Sequence, residues 1–558
     1  MSKCDEYFTL MAIIAFSLLA MPYQWADVPF LLANGRYIDV TGIIPTEDQL
    51  TIHDGMHAIV QQWLTAWIFW KIYAIWGLDG LYGLSYVLGA VLLYVYYRLL
   101  LSASRNNRQL SLLMLLPIGF LFGSLFLMPR PQNFSLLLLF LAVLALEKYV
   151  KSASAVYLLW LVPISILTIN FHAAFWPLLI VVILPYLAVT VCPRCIRQYF
   201  ADISFANSKN LLLTLAAVVI VAIINPYGTE AMTYGIISYG NEELAMLSHE
   251  MQPMTGRSLL GRLVFFIGAV LIFLSARRRQ DLAYTLFSLG FMYMALDSQR
   301  NFVFFLTLGL LSLAYMFRDT LKFSTIDNNS ISRVNSRVNS KVTLPQKLLL
   351  SVMGLSIICA VIFCWSYWTA KILALSFSRT ILLSVIVIYL IYVPTRVNVS
   401  GFRQRVCMYC LTMFLGLSML IIADNKFDWT EERADKLIFD YIQANDSRDN
   451  ITVFANVGIG TYAELYGYKP FIDNRIEVFT PANNHSHDYL GEYIELSTGK
   501  IHYRDFFSKY NFDYYITTSE DLADTYLMKD KDYEILLEYD ISNAYKKGRY
   551  HLFKRKGR

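Results

Sequence analysis

Long apolar runs recur along the first 423 residues of the chain and do not recur in the rest. A run of about 20 apolar residues matches the hydrocarbon core of a bilayer, and shorter runs fit where the bilayer thins or the helix is buried. We therefore predict about thirteen transmembrane helices. They lie at about 7–24, 81–103, 109–128, 133–148, 155–169, 173–191, 210–225, 259–276, 281–296, 302–317, 347–367, 379–395 and 405–423.

The C-terminal part of the chain follows a different pattern. Residues 431–444 have helical spacing, with apolar side chains on one face. Short strand-like runs then alternate with helical stretches; these runs lie at 451–455, 469–473, 512–517, 535–539 and 550–554. The alternation predicts a small α/β domain, residues 424–558, that follows an α-helical polytopic membrane domain, residues 1–423.

The composition agrees with a membrane protein. Hydrophobic residues make up 56% of the chain and charged residues only 16%, whereas about a quarter of residues are charged in soluble domains. A disordered chain, a nucleic-acid-binding protein and a simple soluble enzyme are thereby excluded. The net charge of +5 is the sum of two parts of opposite charge. Residues 424–558 carry 18 Lys and Arg against 24 Asp and Glu. That part has a net charge of −6, and the first 423 residues have a net charge of +11.

The basic residues predict the orientation, because cytoplasmic loops are enriched in Lys and Arg. With the N-terminus in the cytoplasm, nearly every basic cluster falls on the cytoplasmic side. The clusters lie at 104–108, 147–151, 192–209, 277–279, 396–405 and in the low-complexity linker 318–346. The apolar, aromatic stretch 56–77 would invert this arrangement if it were a span. We therefore expect it to form an interfacial or partly re-entrant helix within a first outer loop, residues 25–80, and we expect residues 424–558 to be extracytoplasmic.

Polar residues that anchoring in the membrane does not explain gather at the predicted outer edge. Ionisable groups at such a depth are costly and mark functional sites. The candidates are Asp27, Asp48, Asp54 and His57 in the first outer loop and Arg130, His172, Glu250 and Arg300 in later loops. A structural role is the alternative for each of them. Asp27 could cap a helix, the Arg130 side chain could extend to lipid headgroups, and Arg300 could pair with Asp297.

These residue types suit one kind of chemistry. A carboxylate can accept the proton of an attacking hydroxyl, and an arginine can stabilise a leaving phosphate. Together they suit inverting glycosyl transfer from a lipid-phosphate sugar to an acceptor hydroxyl at the outer face. This reaction needs no nucleotide site. The segment 456–461 is more typical of a plain strand–helix turn than of a phosphate-binding loop.

Several short motifs occur in an informative order. They are Trp25-Ala26-Asp27, Asn34-Gly35-Arg36, Gln62-Trp63, Arg130-Pro131-Gln132, Asn170-Phe171-His172, Asn225-Pro226-Tyr227-Gly228 and Phe471-Ile472-Asp473-Asn474-Arg475. With the long acidic first outer loop, the many spans and the C-terminal outer domain, this order resembles the GT-C superfamily of polytopic membrane glycosyltransferases. The bacterial members of the protein-mannosyltransferase and aminoarabinose-transferase type are the most similar.

The resemblance implies a polyprenyl-phosphate-linked sugar donor, an envelope glycan, lipid or protein as acceptor, contact with membrane lipids, and no nucleic acid. It also implies that an acid of the first outer loop is the catalytic base. Asp27 is our first choice and Asp48 the second, and the remaining six candidates are expected to bind substrate. Some members of the superfamily use a divalent metal and others use none. Mg²⁺ or Mn²⁺ therefore stays open as a cofactor, and the sequence does not identify the residues that would bind it.

Other functions remain open at this point. A transporter or flippase of lipid-linked glycans should show paired repeats and polar groups at mid-membrane, and the sequence shows neither clearly. A polymerase or ligase of such glycans would need a similar outer face, and a non-catalytic scaffold is a further alternative. The turn 473–475 could be a ligand site or a structural turn. The two C-x-x-C pairs, at 192–195 and 407–410, are expected to be reduced thiols rather than a zinc site.

Overall fold

The structure is a computed structural model. It describes residues 3–21, 27–193, 196, 199–200, 207–239, 249–276, 278, 280–319, 430–448, 450–540 and 548–557. The predicted spans at 347–367, 379–395 and 405–423, most of the linker, and Cys195, Cys407 and Cys410 lie outside these residues.

Described helices lie within each of the ten predicted spans that precede the linker, and two more, at 28–41 and 229–239, lie between those spans. In chain order they are α1 Lys3–Leu19, α2 Val28–Thr41, α3 Trp63–Ala103, α4 Arg108–Leu125, α5 Gln132–Ser152, α6 Leu161–Phe171, α7 Pro177–Val191, α8 Ser208–Val221, α9 Thr229–Tyr239, α10 Leu259–Ser275, α11 Leu282–Asp297, α12 Phe302–Phe304 and α13 Leu311–Met316. A 3₁₀ turn precedes α6, another lies between α6 and α7, and a π-helical turn separates α12 from α13.

Four of the described helical segments are long and apolar enough to cross a bilayer: Trp63–Ala103, Arg108–Leu125, Gln132–Ser152 and Ala173–Val191. Four shorter apolar segments accompany them. The chain is thus a multi-pass membrane protein with a helical membrane domain, as predicted.

The stretch 56–77 is only partly helical. Residues 56–62 are not helical and end in a turn, and His57 among them makes an isolated antiparallel bridge with Glu47. Helix α3 begins at Trp63, and Gly77 interrupts it with φ 61° and ψ −153°. Because this backbone conformation is accessible essentially only to glycine, Gly77 separates a short helix, 63–76, from the predicted span at 81–103.

Small residues let the membrane helices pack closely. A methyl group at Gly123 of α4 would lie only 2.0 Å from the carbonyl oxygen of Ser17 in α1. Between α6 and α8, the Ser165 hydroxyl donates to the Val218 carbonyl oxygen at 2.8 Å. Such close contacts and interhelical hydrogen bonds are typical of helix association within membranes.

The C-terminal domain is an α/β unit, as predicted. Its strands are β1 Thr452–Phe454, β2 Lys469–Pro470, β3 Tyr514–Thr518, β4 Tyr533–Asp540 and β5 Arg549–Arg555. They form one sheet in the order β2-β1-β3-β5-β4, in which β2, β1 and β3 are parallel and the two other pairings are antiparallel. The helices are α14 Thr430–Asn445, α15 Val457–Leu465, α16 Pro481–Asn484, α17 Tyr489–Ser497, α18 Tyr503–Tyr510 and α19 Leu522–Leu527.

Alternate side chains of the sheet enter two apolar clusters. Val453 belongs to the cluster that contains Ile438 of α14, and Phe454 belongs to the cluster that contains Phe506 of α18. This alternation is expected for a strand that is covered on both faces. The sheet thus lies between two layers of helices. The loop after β2 extends toward the membrane domain.

The first outer loop is attached to this domain. The Ile52 amide donates to the Pro470 carbonyl oxygen at 3.1 Å, next to the edge strand β2. The His53 ring is buried, lies 2.7 Å from the Phe471 carbonyl oxygen through Nε2, and stacks on Tyr489. Burial lowers the pKa of His53 to about 4, so this imidazole is a neutral part of the domain core.

Candidate active site

A polar cavity lies where the first outer loop, the membrane helices and the outer domain meet. It offers about 70 Å³ to water-sized molecules, which is room for several waters. Its wall includes Asp27, Gln61, Gln132, His172, Tyr234, Arg300, Arg475 and Glu477. Three of the predicted site residues, Asp27, His172 and Arg300, therefore line one cavity.

Two other predicted residues join this group through ion pairs. Arg130 Nε lies 3.2 Å from an Asp27 carboxylate oxygen, and Arg130 Nη1 lies 3.1 Å from a Glu250 carboxylate oxygen. The second oxygen of Glu250 is 3.9 Å from Arg300 Nε. Asp27, Arg130, Glu250 and Arg300 thus form a continuous chain of alternating charge at the cavity, which we call the acid–arginine chain.

The local backbone explains how these four side chains come together. Asp27 immediately precedes α2, but its side chain makes no capping hydrogen bond and pairs with Arg130 instead. Arg130 lies in the turn between α4 and α5. The Ser298 hydroxyl donates to the Glu250 carbonyl oxygen at 3.1 Å, so the segments of Glu250 and Arg300 are held side by side.

The acid–arginine chain favours the charged forms of Glu250 and Arg130. Burial disfavours the Glu250 carboxylate, but the charges of Arg130 and Arg300 outweigh it and lower the pKa of Glu250. Burial likewise opposes the charge of Arg130, and Asp27 and Glu250 overcome it and raise the pKa of Arg130. The site therefore presents fixed positive charge beside a carboxylate at neutral pH.

His172 enters the cavity as an uncharged ring. It is 4% exposed and stacks on Phe175 at 4.4 Å between ring centroids. Burial, and next the charge of Arg300, lower its pKa to about 3. At neutral pH this imidazole can donate one hydrogen bond and accept another, but it adds no charge to the cavity.

The motif residues around His172 fix the first outer loop in place. Trp63 Nε1 donates to Asn170 Oδ1 at 3.0 Å, and the Asn170 amide donates to the Ile224 carbonyl oxygen at 2.9 Å. The Tyr227 hydroxyl donates to the Pro45 carbonyl oxygen at 2.9 Å and accepts from the Val60 amide at 3.1 Å. These residues shape the cavity by holding the loop that lines it.

The second choice for the base, Asp48, lies in a different place. Its carboxylate is buried, accepts hydrogen bonds from the Thr51 amide and hydroxyl, and receives Arg475 Nη1 at 2.7 Å. Arg475 also contacts Asp473 and Glu464. Both oxygens of Asp48 are engaged in this joint between the loop and the outer domain, and Asp48 is absent from the cavity wall. The structure thus places Asp48 in this joint and not in the cavity wall, and the turn 473–475 belongs both to the joint and to the wall.

Asp54 and His57 also lie away from the cavity wall. The Asp54 side chain is 92% exposed and contacts Lys469 at 3.5 Å, so it is a surface residue. His57 instead belongs to a group with Glu230 and His485, whose potential ligand atoms lie within 4.8 Å of one another. His57 Nε2 is buried and makes no hydrogen bond among the described residues, although Glu230 approaches it to 3.4 Å.

This group fits a divalent metal. Two imidazoles and a carboxylate are ligands that Mn²⁺, Fe²⁺ and Zn²⁺ accept, whereas Mg²⁺ prefers oxygen ligands alone. Of the two metals left open by the sequence, the donor atoms favour Mn²⁺ over Mg²⁺. His57 and Glu230 precede the cavity residues Gln61 and Tyr234 by only four residues each, so the group adjoins the cavity.

Sequence reasoning missed Glu477, Tyr234 and the two residues beside His57, which are Glu230 and His485. Gln61 and Gln132 stand in or beside the motifs given above, and neither is among the predicted site residues. Glu477 follows the motif that ends at Arg475 by two residues, and only the fold brings it to the membrane domain.

The fold and the site define a class: a polytopic membrane protein whose polar cavity, lined by acids and arginines, is completed by a small α/β domain. No protein-family model matches the sequence, and no curated protein matches it. Among solved structures, ArnT from Cupriavidus metallidurans, bound to undecaprenyl phosphate, is similar with a TM-score of 0.53. The sequence identity is 12%, and the alignment covers 99% of this chain and 98% of ArnT. This likeness confirms the GT-C type of fold expected from the motifs.

A weaker likeness is to the oligosaccharyltransferase of Archaeoglobus fulgidus in complex with zinc and sulfate. Its TM-score is 0.46 at 11% identity, over 91% of this chain and 67% of that protein. At this distance it supports no conclusion about the present chain.

Proposed function

We propose that this protein is a membrane glycosyltransferase that moves a sugar, a hexose or a pentose, from a polyprenyl-phosphate-linked donor to an acceptor hydroxyl. The acceptor would be a glycan, a lipid or a protein of the cell envelope. The observation that carries the proposal is the acid–arginine chain at the cavity, which pairs a carboxylate with two cations. The likeness to ArnT, solved with undecaprenyl phosphate, supports the same donor class.

In the proposed mechanism Asp27 is the base. The acceptor oxygen attacks the anomeric carbon while the bond between that carbon and the phosphate oxygen breaks, which inverts the configuration. The acceptor proton passes to Asp27, and the polyprenyl phosphate leaves with the bonding electron pair. Arg130 and Arg300 stabilise the charge that develops on this phosphate.

The resting ion pair between Asp27 and Arg130 suits this sequence of events. A phosphate that arrives at Arg130 competes with the Asp27 carboxylate for the guanidinium group. Binding of the donor would therefore release Asp27 to accept a proton. Glu250 stays bound to Arg130 and keeps the guanidinium in place.

We further propose that His57, Glu230 and His485 hold a divalent cation. Such an ion would supply positive charge for phosphate oxygens next to the cavity. The three residues come from the first outer loop, α9 and the segment after α16, so they also tie the loop, the membrane domain and the outer domain together.

The proposed topology has thirteen spans, a cytoplasmic N-terminus and an extracytoplasmic domain at 424–558. It is supported by the positions of the basic loops and by the gathering of the acid–arginine chain at one end of the helices. Compartment-specific reporters fused to the C-terminus would test it, and a cytoplasmic signal would reject it.

The decisive experiment replaces Asp27 by Asn in the full chain reconstituted with a polyprenyl-phosphate sugar. Removal of a general base lowers the transfer rate by about 10²–10⁴-fold, while Asp27→Asn should leave the folded yield unchanged. The matched control is Asp54→Asn, which changes an exposed acid of the same loop and should keep full activity. Full activity of the Asp27 variant would reject Asp27 as the base.

A further inference from the structure

The cavity wall carries uncharged polar groups as well as charges. Gln61 lies in the first outer loop, Gln132 is the first residue of α5, and His172 lies between α6 and α7. One atom of each is buried and makes no hydrogen bond among the described residues: Gln61 Oε1, Gln132 Oε1 and His172 Nδ1. Buried polar atoms in proteins are nearly always paired, because an unpaired one costs free energy. Three such atoms in one cavity wall indicate a ligand that pairs with them.

The orientation of Gln61 is determined by the outer domain. Gln61 Nε2 donates to Glu477 Oε1 at 3.0 Å, and the Tyr234 hydroxyl donates to the same oxygen at 3.1 Å. The carboxylate oxygen accepts and only the amide nitrogen donates, so Gln61 must turn its nitrogen toward Glu477. Its Oε1 is then left over as an acceptor. The Gln61 carbonyl oxygen also accepts from the Ala173 amide at 2.9 Å, which fixes this residue beside His172.

The three unpaired atoms define the chemistry of the ligand. The two amide oxygens can only accept hydrogen bonds, and the neutral imidazole of His172 can accept or donate according to its tautomer. Hydroxyl groups satisfy both requirements. A carboxylate or phosphate has no proton to give to the amide oxygens, and an ammonium group can donate to those oxygens but cannot accept a hydrogen bond from His172.

We propose that Gln61, Gln132 and His172 form a hydroxyl-binding subsite for the sugar ring of the donor, in which Glu477 is a positioning residue for Gln61. The subsite selects a sugar that presents uncharged hydroxyls, and it places part of the donor specificity in the C-terminal domain. This inference rests on the proposed function, because the polyprenyl-phosphate donor is the source of the sugar.

The test measures binding to the purified full chain rather than turnover. The probes are undecaprenyl phosphate and the same lipid carrying glucose, and the quantity of interest is the ratio of their Kd values. In the wild type the glucose should tighten binding. The variants Gln61→Ala, Gln132→Ala and Glu477→Ala should each reduce this gain by about three- to tenfold, the worth of one hydrogen bond. The Kd of the bare lipid should stay the same, which a general loss of structure would not allow.

Two further variants sharpen the test. Gln49→Ala removes an exposed amide of the same loop and should leave the ratio unchanged. The exchange Gln61→Glu with Glu477→Gln restores the hydrogen bond in the opposite sense and turns a carboxylate oxygen toward the cavity. It should recover part of the gain that Glu477→Ala loses, and it should favour the lipid carrying glucosamine over the lipid carrying glucose.

Each outcome separates the subsite from the reaction. If the wild type binds both lipids equally, or if the alanine variants keep the full gain from glucose, the subsite is rejected whether or not transfer occurs. If the gain is present and sensitive to the variants, the subsite stands. Should such a protein then transfer no sugar to any acceptor, only the proposed transferase function would fail.

Discussion

Arg475 of the outer domain donates a 2.7 Å hydrogen bond to Asp48 of the first outer loop, across 427 residues of sequence. The same guanidinium contacts Asp473 and Glu464, so three buried carboxylates surround one cation. This cluster lies next to the cavity, and Arg475 is part of the cavity wall. The joint therefore sets how the outer domain sits against the loop that carries the proposed base.

The excess of acid in this cluster predicts a pH-dependent stability. Burial, and next the charge of Asp473, raise the pKa of Glu464 well above its usual 4.5. The folded chain then keeps a proton that the unfolded chain releases. The contribution of Glu464 to stability is full below about pH 4.5 and falls as the pH rises toward its folded-state pKa. Glu464→Gln should remove this loss and should be more stable than the wild type at about pH 8.

Thermal unfolding of both proteins at about pH 5 and pH 8 checks this prediction. The difference in Tm between variant and wild type should grow with pH, because Gln has no proton to release. Asp54→Asn serves as a control, since that carboxyl is exposed and should give no such trend. A Tm difference that shrinks with rising pH would contradict the prediction.

Arg130 should not be replaceable by lysine. Its Nε and Nη1 atoms contact two different carboxylates, Asp27 and Glu250, and a lysine ammonium cannot reproduce this planar arrangement. We expect Arg130→Lys to lower kcat by about 10²-fold or more, the usual effect of losing one donor to a developing charge. Arg257→Lys, at an exposed arginine of an outer loop, should leave kcat unchanged. Equal rates for Arg130→Lys and the wild type would exclude Arg130 from the phosphate site.

The proposed metal group predicts a measurable metal content. Chain purified without chelator should contain about one transition-metal ion, and both His57→Ala and His485→Ala should lose it, because each removes one ligand. Metal analysis of the purified proteins gives this result independently of activity. His502→Ala changes an exposed histidine of the outer domain and should keep the ion. Retention of metal in both ligand variants would show that the ion lies elsewhere.

Local sequence patterns were enough to predict the helices and to select Asp27, Arg130, Glu250 and Arg300 as candidates for one site. Apolar runs are local, so helices occupy the predicted spans at 7–24 to 302–317. Asp27, Arg130 and Arg300 lie at the ends of such helices, and the positive-inside rule predicts that all three lie on one side of the membrane. Their convergence in the acid–arginine chain follows from this shared depth and from the closed packing of the helices.

Contacts between distant segments could not be predicted in this way. Asp48 is the second candidate base because it is an acid of the first outer loop, and its partner Arg475 is 427 residues away. The group of His57, Glu230 and His485 likewise combines residues from separate parts of the chain. Neither arrangement has a spacing that a single sequence reveals, because each depends on where the outer domain docks.

Gly77 offers a test of the break within α3. With φ 61° and ψ −153°, it occupies a region that side chains exclude. Gly77→Ala should therefore cost about 1–3 kcal/mol of stability and should lower the Tm of the purified chain. Gly83, six residues further along α3, has open space around its α-carbon and a helical backbone, so Gly83→Ala should be neutral or stabilising by up to about 1 kcal/mol. If both variants unfold at the same temperature, helix 63–76 continues straight into the following span, and the first outer loop must follow a different path to the cavity.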